Sequence, residues 1–281
     1  MNSDSETIEL LDELKKLSHF SSELLTRENI RPETLHIRKS YVYSQFIFSL
    51  SLLDGIITLA GKGQARSMVP LVRSLWEGWL GVVFVYAGNT HVWVYYLQLQ
   101  EELKNKKRRQ KMYIAGEIGD LQRYNDRNLE ADKIIKVIKR RYKQLPLVPT
   151  VITGDRSLER DIKIRQKCQI VDYYQSMRAN YKSGGTTLTH WYDTVYSHFS
   201  NTTHVNVTEL NALYQYDAHG NLHVDISGGE DRKYLSPLLL VAYLYHYQLM
   251  KIFIGNISAS GLKIPDDMKA ARRRMTSKKV R

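Results

Sequence analysis

Residues 65–86 read ARSMVPLVRSLWEGWLGVVFVY, and this stretch decides the fold. It is apolar nearly all round a helical wheel, with residues 100° apart, and a helix of that kind is normally buried. Arg66, Arg73 and Glu77 fall on one narrow stripe of the same wheel. A charged stripe on a buried helix must be paired or must line a polar cleft, because isolated buried charge is very costly. Arg73 and Glu77 stand four apart and can pair. Two readings follow: a structural ion pair that fixes helix packing, or an Arg and a Glu in an active site.

Working outward, the apolar period stays helical almost throughout. Helices are expected over 6–26, 32–61, 64–87, from near Thr90 into the basic run 104–111, then over 128–144, 157–181, 186–204 and 235–257. The Gly61-Lys62-Gly63 break ends the second helix, and Pro146 and Pro149 end the fifth. Residues 213–226 break the pattern with period-two alternation around His219-Gly220-Asn221, which predicts a small β-hairpin. The expected class is therefore all-α, a bundle of long antiparallel helices with a small β-hairpin insertion. No linker divides it, so residues 1–264 are expected as a single helical domain. Residues 265–281 are expected as a basic, disordered tail.

Composition narrows the function. The chain has 281 residues, a formal net charge of +12 and 43% apolar residues, enough for a core and too apolar for a disordered chain. A single cysteine, Cys168, excludes an internal disulfide framework and a cysteine-based zinc cluster. P-loop, GxGxxG and GxSxG patterns are absent. No metal site and no cofactor is expected. The acidic, amphipathic N-terminus does not read as a secretory signal. Residues 46–61 are short for a span and carry Asp54, while His246, Gln248 and Lys251 interrupt 235–257. Both read as core helices of a cytoplasmic chain rather than membrane spans.

The positive charge is clustered. Residues 104–111 carry six Lys/Arg, among them Lys106, Lys107, Arg108 and Arg109, and residues 133–143 carry six more, among them Lys139, Arg140 and Arg141. Seven further cations lie from Lys269 onward. Such clusters release counterions on binding a polyphosphate, so RNA is the expected partner. Solvated helix faces would carry the same residues. The helix over 186–204 gathers His190, Asp193, Ser197, Ser200, Asn201 and His204 on the side opposite Leu188, Tyr192, Val195 and Phe199. An imidazole among hydroxyls and amides can serve as acid or base, and the same face can equally meet open water.

Arg73 three residues before Trp76-Glu77, followed downstream by Tyr196-x-x-x-Ser200-x-x-x-His204, resembles an uncharacterised microbial helical family, a domain of unknown function similar to a divergent HEPN-superfamily protein. The resemblance covers about residues 35–255. It implies a metal-independent endoribonuclease of toxin or antiviral-defence type, acting as a homodimer. His204 would match the motif histidine and Glu77 the acid of the earlier helix, while the motif arginine just before the histidine has no counterpart here. Arg73 would then stabilise the phosphorane, with Ser200 and Asn201 beside His204. The other expectation is a non-catalytic helical module that binds nucleic acid or a partner protein.

Overall fold

The computed structural model describes residues 3–28, 30–31, 35–87, 92–117, 120–142, 162–176, 187–196, 214–216, 222–224, 232–257 and 263–277. These are overwhelmingly helical. In chain order they form α1 (Ser3–Glu28), α2 (Ile37–Gly61), α3 (Ala65–Tyr86), α4 (Val92–Ile114), α5 (Leu121–Tyr142), α6 (Ile164–Ser176) and the single turn α7 (Leu188–Trp191). A π-helical turn, Tyr192–Tyr196, continues α7; then come β1 (Tyr214–Tyr216), β2 (Leu222–Val224), α8 (Arg232–Asn256) and α9 (Asp266–Ser277). The two short strands pair antiparallel with Gln215 opposite His223.

The chain divides into two compact units, residues 1–82 with 190–281, and residues 83–189. In the first unit α1, α2 and α8 pack against one another. Thr7 meets Ser236 at 2.6 Å and Ser21 meets His246 at 2.9 Å, so α1 and α8 run parallel. Phe46 stacks on Phe253, Tyr43 meets the same ring at a tilt, and Ser49 reaches His246, so α2 runs against both. The apolar stripe of α1 (Leu10, Leu14, Leu17 and Leu24) is buried between them.

Glycines let α3 approach α2 closely. A Cβ at Gly81 would lie 2.5 Å from the Tyr41 hydroxyl, and one at Gly78 would lie 2.9 Å from Oε1 of Gln45. Rising numbers on α2 meet falling numbers on α3, an antiparallel pair. Burial raises the Tyr41 phenol to about 12. The turn between them is a glycine C-cap: Gly63 has φ 71°, and the amides of Gly63 and Gln64 bond to Ala60 and Leu59.

The basic run from Lys269 onward predicts a disordered tail, and the structure corrects this for 266–277. Asp266 and Asp267 open the helix α9, where carboxylates suit the dipole. Met268, Ala271 and Met275 make a buried stripe at helical spacing. The Tyr243 hydroxyl donates to the Met268 carbonyl at 3.2 Å, and the Arg272 guanidinium sits 5.2 Å from the Tyr247 ring centroid. The density of basic residues masks that stripe in the sequence. Residues 278–281 lie outside the described residues.

Among the described residues, Ile37–Gly61, Ala65–Tyr86 and Tyr234–Asn256 are long and apolar enough to cross a membrane. The sequence window 46–61 is short only because the helix containing it starts nine residues earlier. Other boundaries shift as well. The fifth helix begins at Leu121 rather than 128, α6 is described from Ile164 to Ser176, and the helix expected over 186–204 is described only as a four-residue turn and the π-turn after it.

Candidate functional site

On α3 the expected pairing is present: Arg73 Nε donates to Glu77 Oε1 at 2.9 Å. The pair is not sealed in the core. Its side chains retain 24% and 38% of their exposure, and Arg66, on the same stripe, is exposed. The stripe therefore marks where the apolar surface of α3 gives way to solvent. Val72, Leu75, Trp76 and Leu80 on the other faces are buried.

The segment that carries the histidines starts beside this turn. Tyr192 lies with its ring 6.4 Å from that of Trp76, which adjoins Glu77 in the chain. Trp191 meets Tyr245 edge-on at 5.8 Å, and Trp79 meets the same ring at 5.2 Å. His190 and Asp193 are exposed. Ser200, Asn201 and His204 lie outside the described residues. Within the second unit, Asp172 anchors the entry to α7: its carboxylate accepts the amides of Leu188 and Thr189 at 2.9 Å and the Thr189 hydroxyl at 2.6 Å. A carboxylate that takes the first amides of a turn is an N-cap supplied from another helix.

The basic segments lie on the α4–α5 pair of the second unit. Tyr113 stacks on Tyr124, Arg109 Nε donates to Asn128 Oδ1 at 3.3 Å, Lys106 Nζ bonds to Asp132 at 2.7 Å, and Leu99 clusters with Ile135. The near-constant register makes an antiparallel hairpin. Both helix ends at its tip are capped. Gly116 (φ 74°) caps α4 with its amide on Tyr113 and that of Glu117 on Met112, and Asp120 Oδ1 takes the Arg123 amide to start α5.

This register keeps the two cationic clusters apart. Lys107 stands opposite the region of Glu130, and Arg140 opposite that of Leu97. At 1.5 Å per residue the clusters are offset by about 15 Å along the hairpin. The expected binding residues also differ among themselves. Lys107, Arg108 and Arg140 are exposed, Lys106 is neutralised by Asp132, and Arg109 is half-buried against a neutral amide. The side chains of Lys139 and Arg141 lie outside those described. Lys104, Lys107, Arg108 and Lys111, at helical spacing, make an exposed cationic stripe on the side of α4 away from α5.

Two arrangements escape the sequence reading. One is the aromatic stack of Tyr113 and Tyr124 at the hairpin tip. The other is His246, fully buried on α8, with Nε2 2.9 Å from Ser21 Oγ and Nδ1 3.0 Å from Ser49 Oγ. Burial lowers its pKa to about 3. In the sequence this histidine is only an interruption of an apolar run. Cys168 is fully buried in α6. Among the described residues no three His, Cys, Asp or Glu side chains group so as to hold a metal ion.

No curated protein and no solved structure matches the chain. Residues 39–221 match a family model described as a family of unknown function, DUF5677. The matched stretch takes in most of α2, all of α3 to α7, the π-turn and β1, well over half of the chain, and the protein thus belongs to this family of unknown function.

Proposed function

We propose that the protein acts on RNA, as a HEPN-like, metal-independent endoribonuclease of toxin or antiviral-defence type. The observation that carries the RNA part is the exposed stripe of Lys104, Lys107, Arg108 and Lys111 on α4. Cations at that spacing track a phosphate backbone, and binding through them is driven by counterion release. Arg140, exposed on α5, extends the same kind of surface.

The cleavage part is supported by the contact of Tyr192 with Trp76, which starts the histidine-bearing segment beside Arg73 and Glu77. In this reading a ribose 2′-hydroxyl attacks the adjacent phosphorus and the 5′-oxygen leaves. The product end is a 2′,3′-cyclic phosphate. His204 moves the proton, Arg73 meets the charge of the phosphorane, Glu77 orients Arg73, and Ser200 and Asn201 align His204. The Arg73–Glu77 pair keeps part of its surface open to solvent. A location in the cytoplasm belongs to the same proposal. What supports it is that α1, a helix rich in charged residues, packs along both α2 and α8.

A second reading, a non-catalytic module that binds RNA or a partner protein, is favoured by the pairing itself. Arg73 and Glu77 bond to each other, as a structural pair would. Incubating the purified full chain with RNA in EDTA separates the two. Loss of cleavage in a folded His204→Ala variant supports the enzyme, whereas no cleavage by the native chain, or equal cleavage by both, leaves the binding module.

A further inference from the structure

The tip of the α4–α5 hairpin carries a feature that phosphate binding alone does not need. The rings of Tyr113 and Tyr124 lie 4.5 Å apart and 16° from parallel. Tyr113 keeps 36% of its surface open, and its neighbours Ile114 and Leu121 keep 76% and 53%. A pair that only clasped the two helices together would be expected to bury its rings. Here one ring is backed by the other and still reaches solvent. The glycine cap at Gly116 and the Asp120 cap fix the helix ends on which the rings stand. Cations flank the pair: Arg123 is exposed next to Tyr124 in the chain, Arg127 is exposed one turn after it, and Arg109 lies one turn before Tyr113.

We infer that Tyr113, backed by Tyr124, is a stacking platform for an unpaired base of single-stranded RNA whose flanking phosphates are held by Arg123 and Arg127. This rests on the reading of the chain as RNA-acting and specifies the form of RNA. Flat π faces bind any base that is not already stacked in a duplex, and guanidinium or ammonium groups around them take the backbone. A duplex hides its base faces and can use only the cations. Ile114 and Leu121 among cations would also suit an anionic membrane; what favours a base is the near-parallel ring pair, which a lipid surface does not need, and vesicles form one arm of the test.

The test uses the full chain, a labelled 12-nucleotide unstructured RNA and the same strand annealed to its complement, followed by anisotropy over a salt series. The single strand should bind about tenfold tighter than the duplex, in line with the strength of one base–aromatic stack. Tyr113→Leu should remove that preference without changing duplex affinity, and Tyr113→Phe should retain it. A Tyr113→Trp variant gives an independent readout, because stacking should quench the fluorescence of its added indole. Equal affinity for the two probes, an unaffected Tyr113→Leu variant, or indole emission in the Tyr113→Trp variant unmoved by bound RNA would each overturn the platform while leaving RNA binding in place. Binding to phosphatidylserine vesicles that is lost in Tyr113→Leu, with no strand preference, would assign the tip to membranes and overturn it too. Failure of the native chain to bind either RNA overturns both this inference and the reading beneath it.

Discussion

Ser49 sets the tautomer of His246. The Ser49 hydroxyl has one proton, and it donates that proton to the Phe46 carbonyl at 2.7 Å. Towards His246 it then accepts, which puts the ring proton on Nδ1 and leaves Nε2 to receive the hydroxyl of Ser21, whose other neighbour, the Met250 Sδ at 3.5 Å, is the weaker acceptor. One imidazole thus joins α1, α2 and α8 with both ring nitrogens satisfied. The doubly protonated ring is disfavoured there, because both ring nitrogens meet neutral hydroxyls and burial pushes the pKa down to about 3.

The first prediction follows from that depression. Unfolded, the ring takes a proton below about pH 6.5; folded, it resists until about pH 3. The unfolded state therefore binds more protons over this window. The contribution to stability is complete above pH 6.5 and is lost as the pH falls towards 3. Urea unfolding should show stability dropping by up to about 5 kcal/mol over that range from this group. His246→Phe, which keeps the stack on Phe46, should flatten this part of the profile. An unchanged slope in the variant would show that other groups set it.

The half-open Arg73–Glu77 pair separates stability from chemistry. Glu77→Gln should cost less than about 1 kcal/mol of folding free energy, because exposed pairs contribute little. In the ribonuclease reading the same change should slow cleavage by more than about tenfold, since Glu77 orients the arginine in the transition state. Thermal melts beside cleavage rates measure both. Parallel small losses would leave Glu77 a packing residue.

Salt titrations distinguish cations that reach RNA from those that do not. Replacing Lys107, Arg108 and Lys111 by Ala should flatten the slope of log affinity against log salt by about 2 for a single strand. Lys106→Ala should change the slope far less, because Asp132 already neutralises that ammonium. A larger effect from Lys106 would mean that the pair opens on binding.

Close packing of α2 on α3 depends on hydrogen at one Cα. Gly81→Ala would push a methyl against the Tyr41 hydroxyl and should cost about 1–3 kcal/mol. Gly61→Ala, at the end of α2, meets nothing within 4 Å and should be neutral within about 0.5 kcal/mol. Chemical denaturation of the two variants makes the comparison.

The last helix should matter to the core. Met268→Ala removes a buried side chain at the end of Tyr243 and should cost about 2 kcal/mol, roughly 4–8 °C in Tm. A disordered segment would show no change.

The legible part of this chain is its period. The sequence places α3 within a residue at each end because its apolar residues and the glycine break before it agree, and the Arg73–Glu77 bond follows from spacing alone. The openness of that pair is not legible, since a wheel gives direction but not the neighbours that cover it. α9 is hidden because the seven cations from Lys269 onward, four of them within the helix, mask the helical signal carried by Met268, Ala271 and Met275. Lys106 looks like its neighbours until Asp132, twenty-six residues on, comes beside it. Tyr113 and Tyr124 stand out as aromatics on either side of a glycine turn only once the two helices are read as a hairpin.

The bond between Ser21 and His246 also sets a schedule for synthesis. Its partners are 225 residues apart, and the whole of the second unit is encoded between the two halves of the first. At about 5–20 residues per second, α1 and α2 leave the ribosome roughly 10 to 45 s before α8 can reach them. During that interval Phe46 lacks the His246 and Phe253 rings on which it stacks, whereas α4 and α5 can pair as soon as both are made. The nascent chain would then carry a completed second unit while the α8 side of its first unit waits open, a period in which the apolar side chains that α8 will cover are exposed to aggregation.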